Sequence, residues 1–404
     1  MKLYCRTYQF IFRCAAALLP WRMPTILSGD DVYEKVVKNL DKDRNVLIIS
    51  DKQIISLGLL NNLLHALEEN KIKYFIYDKT TPNPTIDNIE EALSLYKINS
   101  CKAIIALGGG SVIDCAKGVG ARSVKKHTKI EKMKGLLKVR RHLPPIFAIP
   151  TTAGTGSETT VASVISNAKT HEKYAISDVS LIPKFAVFDT ELTKNLPPQL
   201  TATTGMDALT HAVEAFIGRS NTKQTRKDAL EAVKLIDENL LEAYLNGKNM
   251  IARENMQFAS FFAGRAFTRA YVGNVHAIAH ALGALYNIPH GLANAIVLPV
   301  VLRAYNGKVN KELAILADHI HITNEGDLEA IKAEKFILYI ESLLYKMKIP
   351  TTVKELQEKD IKTIAMKAER EANPTYPVPV IWSLKEFETV IIQLAGEKQK
   401  QKFA

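Results

Sequence analysis

The chain contains no Cys-x-x-Cys pair, no internal repeat, no low-complexity stretch and no apolar run approaching the ~20 residues of a membrane helix. Its four cysteines, Cys5, Cys14, Cys101 and Cys115, are scattered. They suggest neither a disulfide frame nor a thiolate zinc site, and they fit a reducing cytoplasm. Without a long apolar run, stable membrane insertion is not expected. Acidic residues are scarce beside basic ones, 42 against 53, for a net charge of +11. That sign invites a nucleic-acid partner, but its placement argues otherwise. Eight basic residues and one acid, Glu131, fall between Lys125 and Arg141, with no aromatic residue on which a base could stack. The segment reads as a solvated surface loop, and no nucleic acid is expected.

What is present suits a soluble globular protein, with 47% hydrophobic and 24% charged residues among 404. A single core stops growing at roughly 250–300 residues, so two domains are expected. Residues 1–21 begin basic and turn apolar, like a secretory signal. Arg13 interrupts the apolar part, however, and no small-x-small cleavage site followed by a polar stretch is present. Phe10, Ile11, Cys14, Ala15 and Leu18 recur at helical spacing with Arg6 and Arg13 elsewhere. An interfacial membrane helix is one alternative; the reading taken is a helix that packs on its own chain or contacts another subunit.

The first half alternates short apolar runs with amphipathic stretches. Val46–Ser50, Tyr74–Tyr77, Ala103–Leu107 and Ile146–Ile149 read as strands, with helical patterns such as Ile55–Leu67 and Ile86–Tyr96 between them. Such alternation means right-handed crossovers and a mainly parallel sheet. After Pro197-Pro198, long helical patterns follow one another: Gln199–Phe216, Arg226–Leu245 and Asn255–Ala270. The expected organisation is an amino-terminal helical extension (1–29), an α/β dinucleotide-binding domain (30–196) and an all-helical domain (197–404), with a small-molecule cleft between the two domains.

Four of the ten histidines lie between positions 211 and 290. Asp207 and His211 are four apart and share a helical face, as do His276 and His280. Pro289 breaks the second helix and lets His290 open the next. Alone, each histidine beside alanines reads as a satisfied core residue. Together, a carboxylate and several imidazoles among Ala, Leu and Ile would be costly to bury without a partner. A divalent cation is such a partner, and this donor set suits Fe²⁺ or Zn²⁺ over Mg²⁺ or Ca²⁺.

The segments GMDALTHAVEAF (205–216) and HAIAHALGALYNIPHG (276–291) resemble the two signature stretches of iron-containing (group III) alcohol dehydrogenases. The resemblance extends over nearly all the chain from about residue 30. It implies Asp207, His211, His276 and His290 as metal ligands, and His280 beside the metal as the catalytic residue of the substrate and proton relay. It also implies an α/β nucleotide domain followed by an all-helical metal-binding and catalytic domain, an architecture shared with dehydroquinate synthases and glycerol dehydrogenases. Those two use a shorter ligand set, so the full Asp-His-His-His match favours the alcohol dehydrogenases.

The strand Ala103–Leu107 runs into Gly108-Gly109-Gly110-Ser111 ahead of a helix start at Val112–Lys117. Glycines there let a backbone approach a pyrophosphate, whose charge the helix N-terminus stabilises. The run is not the Gly-x-Gly-x-x-Gly of a standard dinucleotide fold, but Gly108–Lys117 resembles the family's GGGSxxDxAK motif. A second loop, Pro150–Glu158, follows Ile146–Ile149. The resemblance sets Thr151, Thr152 and Thr155 of this loop against the cofactor, along with Asn83 of the turn Pro82–Thr85 and Lys173 near the nicotinamide ribose. Asp51 ends a strand, where a carboxylate can bind adenosine ribose hydroxyls and repel a 2′-phosphate; it also reads as a cap for Lys52–Leu59. NAD is therefore expected over NADP.

The expected enzyme transfers a hydride between NAD(H) and a short-chain primary alcohol or aldehyde, with Fe²⁺ or Zn²⁺ as Lewis acid, as a cytoplasmic homodimer. Two rivals stay open: a zinc lyase or polyol dehydrogenase on the same scaffold, and a non-catalytic basic binding protein.

Overall fold

The computed structural model describes residues 2–41, 45–168, 173–396 and 399. Met1 and residues 400–404, at the ends of the expected first and last segments, lie outside them. The chain forms two compact units: Met1–Leu18 with Leu196–Ala404, and Leu19–Asn195. The helix α1 (Lys2–Ala17) thus belongs with the carboxyl-terminal residues.

The unit Leu19–Asn195 is built on a six-stranded parallel sheet. Its strands are β1 (Thr25–Ser28), β2 (Val46–Ile49), β3 (Tyr74–Tyr77), β4 (Ala103–Gly108), β6 (Ile146–Pro150) and β9 (Phe185–Phe188). The order across it is β1-β9-β6-β4-β2-β3. β2, β4, β6 and β9 are buried at every residue, as expected of Val/Ile-rich strands covered on both faces. From β2 the chain crosses to β3 on one side, and from β4 to β6 on the other. The carboxyl ends of β2 and β4 therefore flank the topological switch point, where open α/β sheets bind ligands.

Three expectations change here. Thr25–Ser28 falls within the segment taken as an extension, yet it pairs with β9 as an edge strand, too short to show periodicity. The pattern Ile55–Leu67 is not one helix: the chain forms Lys52–Ser56 and Asn61–Glu69, interrupted at Gly58 with φ +69. The basic segment is more than a solvated loop. Ile130, Met133 and Val139 are buried in the core, and β5 (Gly135–Leu136) pairs with β8 (Lys173–Ser177), itself antiparallel to β7 (Ala162–Ser166). Asp178 accepts hydrogen bonds from the amides of Val139 and Arg140. Five apolar residues without a helical or strand period, among eight cations, were too weak a signal.

The other unit has no strands among its described residues. After α2 (Gly110–Val124) in the sheet unit, its site-bearing helices are α3 (Pro198–Ile217), α4 (Asn274–Tyr286), α5 (His290–Ala304) and α6 (Glu358–Ala372). α3 is buried on nearly every side, as a central helix must be when it is apolar all round. Among the described residues no helix is long and apolar enough to cross a membrane. α1 packs on this unit, but not through the expected face. Phe10, Ile11 and Leu18 are 67%, 61% and 87% exposed, while Cys5 and Gln9 are buried.

Candidate functional site

Asp207 and His211 lie one turn apart on α3, and Glu214 follows on the same face. α4 carries His276 and His280, and ends at Asn287 in the left-handed conformation. Pro289 then caps α5, whose first residue is His290. The next residue must be small: a Cβ on Gly291 would meet the Thr203 carbonyl oxygen at 2.4 Å, so glycine lets α5 start directly against α3.

These turns bring together one carboxylate oxygen and three imidazole nitrogens, from Asp207, His211, His276 and His290, all within 4.8 Å of one another. The first three residues are buried and His290 is partly so. Asn294, one turn into α5, places Nδ2 at 2.7 Å from Asp207 Oδ1 and 3.1 Å from both His276 Nε2 and His290 Nε2. With both ring nitrogens unprotonated, two amide hydrogens face three lone pairs. Burial pushes the Asp207 carboxyl upward. Burial, then the His211, His290 and His280 rings, push His276 well down, toward the neutral form that ligates metal. Convergent lone pairs with too little positive charge between them fit a divalent cation, and the N₃O set fits iron or zinc.

Glu214 holds one of these rings. Its Oε2 lies 2.6 Å from His276 Nδ1 and accepts from the Gly273 amide at 2.8 Å, while Oε1 accepts from the Val275 amide at 2.8 Å. Burial raises the Glu214 carboxyl to about 7. A carboxylate on Nδ1 leaves Nε2 as the ring's lone pair facing the cluster. Gly273 permits this approach, since a Cβ there would lie 2.7 Å from Glu214 Oε1. His280 sits beside the cluster, its ring 5.1 Å from that of His290 and 5.8 Å from that of His276. Its Nδ1 is 2.6 Å from Glu371 Oε1 at the end of α6.

In the sheet unit the three glycines do different jobs. A Cβ on Gly108 would meet Val112 at 2.5 Å and one on Gly110 would meet Thr155 Oγ1 at 2.9 Å, so both allow packing. At Gly109 the nearest atom is Thr152 Oγ1 at 3.9 Å, which leaves a small cradle at the N-terminus of α2. Ser111 Oγ accepts from the Asn83 amide at 3.1 Å, and Lys173 Nζ donates to Asn83 Oδ1 at 2.6 Å. Thr151 donates its amide to the Gly108 carbonyl at 3.1 Å, joining the two loops. Asp51 caps the helix Lys52–Ser56 through Oδ1, which accepts from the Ile54 amide at 2.9 Å. The loops are pinned from beneath by Lys117. Its buried Nζ donates to Ser157 Oγ, Thr160 Oγ1 and the carbonyls of Thr160 and Ala162, and lies 3.9 Å from Asp114.

Glu214, Asn294, Glu371 and the inward-facing Lys117 were not singled out in the sequence. Glu214 was within reach, since it lies seven residues from Asp207 on one helical face. Glu371 was not, being 91 residues from His280 with no local pattern to mark it.

Residues 24–190 match the family model described as iron-containing alcohol dehydrogenase. Residues 201–389 match the model of the Fe-containing alcohol dehydrogenase family, C-terminal. Alcohol dehydrogenase 4 of Saccharomyces cerevisiae is 38% identical over 382 residues, covering 93% of this chain and 97% of that protein. A crystal structure of a 1,3-propanediol oxidoreductase superposes with a TM-score of 0.88 at 34% identity, covering 93% of this chain and all of the other. A sulfoacetaldehyde reductase from Bifidobacterium kashiwanohense, solved in complex with NAD+, gives a TM-score of 0.80 at 27% identity, covering 94% and 99%.

Proposed function

Since the chain belongs to the iron-containing alcohol dehydrogenase family, we propose that it transfers a hydride between NAD(H) and a short-chain primary alcohol or aldehyde. The observation that carries the reading is the Asp207, His211, His276 and His290 donor set. These four residues would hold a divalent cation, ferrous iron by preference and zinc as the alternative the same donors accept. A bound cation would supply Lewis acidity at the substrate oxygen, and a bound nicotinamide would supply the hydride chemistry.

The remaining work falls to the chain. Glu214 keeps His276 in the tautomer whose Nε2 lone pair faces the cluster. Those four donors would hold the cation without His280, whose ring lies beside the cluster and would take the alcohol proton. Gly109, Gly110 and the α2 N-terminus receive the cofactor pyrophosphate. Thr151, Thr152, Thr155, Ser111 and Asn83 contact its remaining oxygens, with Lys173 at the nicotinamide ribose. Asp51 keeps Oδ2 for the adenosine ribose while Oδ1 caps its helix, and its charge disfavours a 2′-phosphate. We place this enzyme in the cytoplasm as a homodimer; sedimentation of the purified protein checks the dimer, and cell fractionation checks the compartment.

The test is NADH formation by anaerobically purified, iron-loaded protein with alcohols of two to four carbons. Turnover that a chelator abolishes and Fe²⁺ restores is expected. Absence of turnover with every alcohol and aldehyde, with either nicotinamide, would overturn the reading.

A further inference from the structure

We propose that Glu371 is a positioning residue for His280, and that α1 clamps the loop that keeps Glu371 in place. The proposal rests on the proton-carrying role given to His280 above.

The chain of contacts is continuous within one unit. Glu371 Oε1 meets His280 Nδ1 at 2.6 Å, and the Tyr376 hydroxyl donates to the same oxygen at 2.7 Å. Tyr376 lies just past α6, on a loop whose outward carbonyls need donors. α1 supplies them. The Arg6 guanidinium donates to the carbonyls of Val378 and Pro379, each at 2.7 Å. Gln9 Nε2 donates to the carbonyls of Tyr376 at 2.7 Å and Pro374 at 3.3 Å, and Gln9 Oε1 accepts from Arg6 at 2.8 Å. Cys5 is buried against Tyr376, Val378 and Ile381. Two side chains of one helix turn thus donate to four carbonyls between residues 374 and 379, and the Tyr376 carbonyl also accepts from the Val378 amide at 2.8 Å.

α1 accordingly docks by the face that carries Cys5, Arg6, Gln9 and Phe12, the last edge-on to Tyr271 at 5.3 Å, and leaves Leu3, Tyr4, Phe10 and Ile11 outward. Burying apolar surface alone would have turned the helix the other way. The docking instead fixes the loop, the loop fixes Tyr376, and Tyr376 with Glu371 fixes the His280 ring. A carboxylate that accepts from Nδ1–H selects the tautomer with a lone pair at Nε2, the form able to accept a proton from an alcohol. Without that partner the ring turns and exchanges tautomers, and a fraction of the molecules carry the wrong one.

Long-range ¹H–¹⁵N spectra of zinc-loaded, ¹⁵N-histidine-labelled protein read the tautomer directly, with His280→Gln identifying the resonance. In the wild type His280 is expected as the Nδ1–H form. Glu371→Gln should mix or reverse the tautomers and lower kcat about 10- to 100-fold with KM and bound metal unchanged. The His280→Gln/Glu371→Gln double variant should be no slower than His280→Gln. Arg6→Ala/Gln9→Leu should disturb the same resonance and lower kcat several-fold, whereas Phe10→Ser on the outer face should change neither. Should the α1 variant fail to fold, Tyr376→Phe removes a single hydrogen bond and reports on the same link. An unaltered resonance and kcat in Glu371→Gln, while His280→Gln is slow, would overturn the role of Glu371. The same result in both Arg6→Ala/Gln9→Leu and Tyr376→Phe would overturn the clamp. Normal turnover by His280→Gln would instead refute the proton relay, and the spectrum would still report whether Glu371 orients the ring.

Discussion

Lys117 and the Asp207 cluster are both buried polar centres, one in each unit, and they obtain positive charge from opposite sources. Around Lys117 Nζ, four oxygens from Ser157, Thr160 and Ala162 converge on a cation that the chain itself carries. Burial lowers that ammonium to about 8, and the Asp114 and Glu158 carboxylates oppose the fall. Around Asp207, one carboxylate and three imidazoles converge, and among the described residues the Asn294 amide lies within hydrogen-bond distance of three of them. The first centre is complete and rigidifies a loop. The second is built to import its charge, and imported charge can do chemistry.

Substitutions should separate the two centres. His211→Ala or His290→Ala removes one of four donors, so bound metal and activity should fall together to background, with the fold retained. Metal analysis beside circular dichroism checks this; full occupancy in both variants would break the contrast. Lys117→Met should do the reverse. It leaves four acceptor oxygens and the partly buried Asp114, 3.9 Å away, without their cation, and should destabilise the sheet unit by about 3–5 kcal/mol in denaturant unfolding, with metal content unchanged.

The pH dependence of the sheet unit sharpens the same point. Burial raises the Glu158 carboxyl to about 7 against an ordinary 4.5, with its own backbone contact and Lys117 opposing. The protonated carboxyl therefore contributes stability that is full below pH 4.5 and is lost as pH rises to about 7. The loss should amount to about 2–3 kcal/mol between pH 4.5 and 7.5 and should disappear in Glu158→Gln. A pH profile identical in the two proteins would contradict it. The smallest effect concerns cofactor choice. Asp51→Gly should shift the kcat/KM ratio toward NADP by about tenfold, worth ~1.4 kcal/mol, since it removes the carboxylate that repels a 2′-phosphate. A wild type that already prefers NADP would show that Asp51 serves its helix cap alone.

The convergence of Asp207, His211, His276 and His290 was legible in part because helical spacing is strict: residues four apart share a face, so Asp207/His211 and His276/His280 stand out as pairs. The strands were legible for a similar reason, as short Val/Ile runs between helices allow few alternatives. What depended on distant contacts was not legible. Glu371 reaches His280 through the packing of α6 on α4, and the apolar periodicity of α1 pointed to a face that stays exposed, while Cys5, Arg6 and Gln9 on its other side meet a loop 365–373 residues away. Gly58 inside an amphipathic pattern was a visible break signal, but the pattern on both sides of it outweighed one residue. In Gly108-Gly109-Gly110 the composition was clear, while the division of labour among the three needed coordinates.

The most direct test is anomalous diffraction at the iron edge from crystals grown anaerobically with Fe²⁺. One strong peak is expected within coordination distance of a carboxylate oxygen of Asp207 and a ring nitrogen of each of His211, His276 and His290, with His280 outside that shell. A peak elsewhere, or full alcohol turnover by protein stripped of metal, would contradict it.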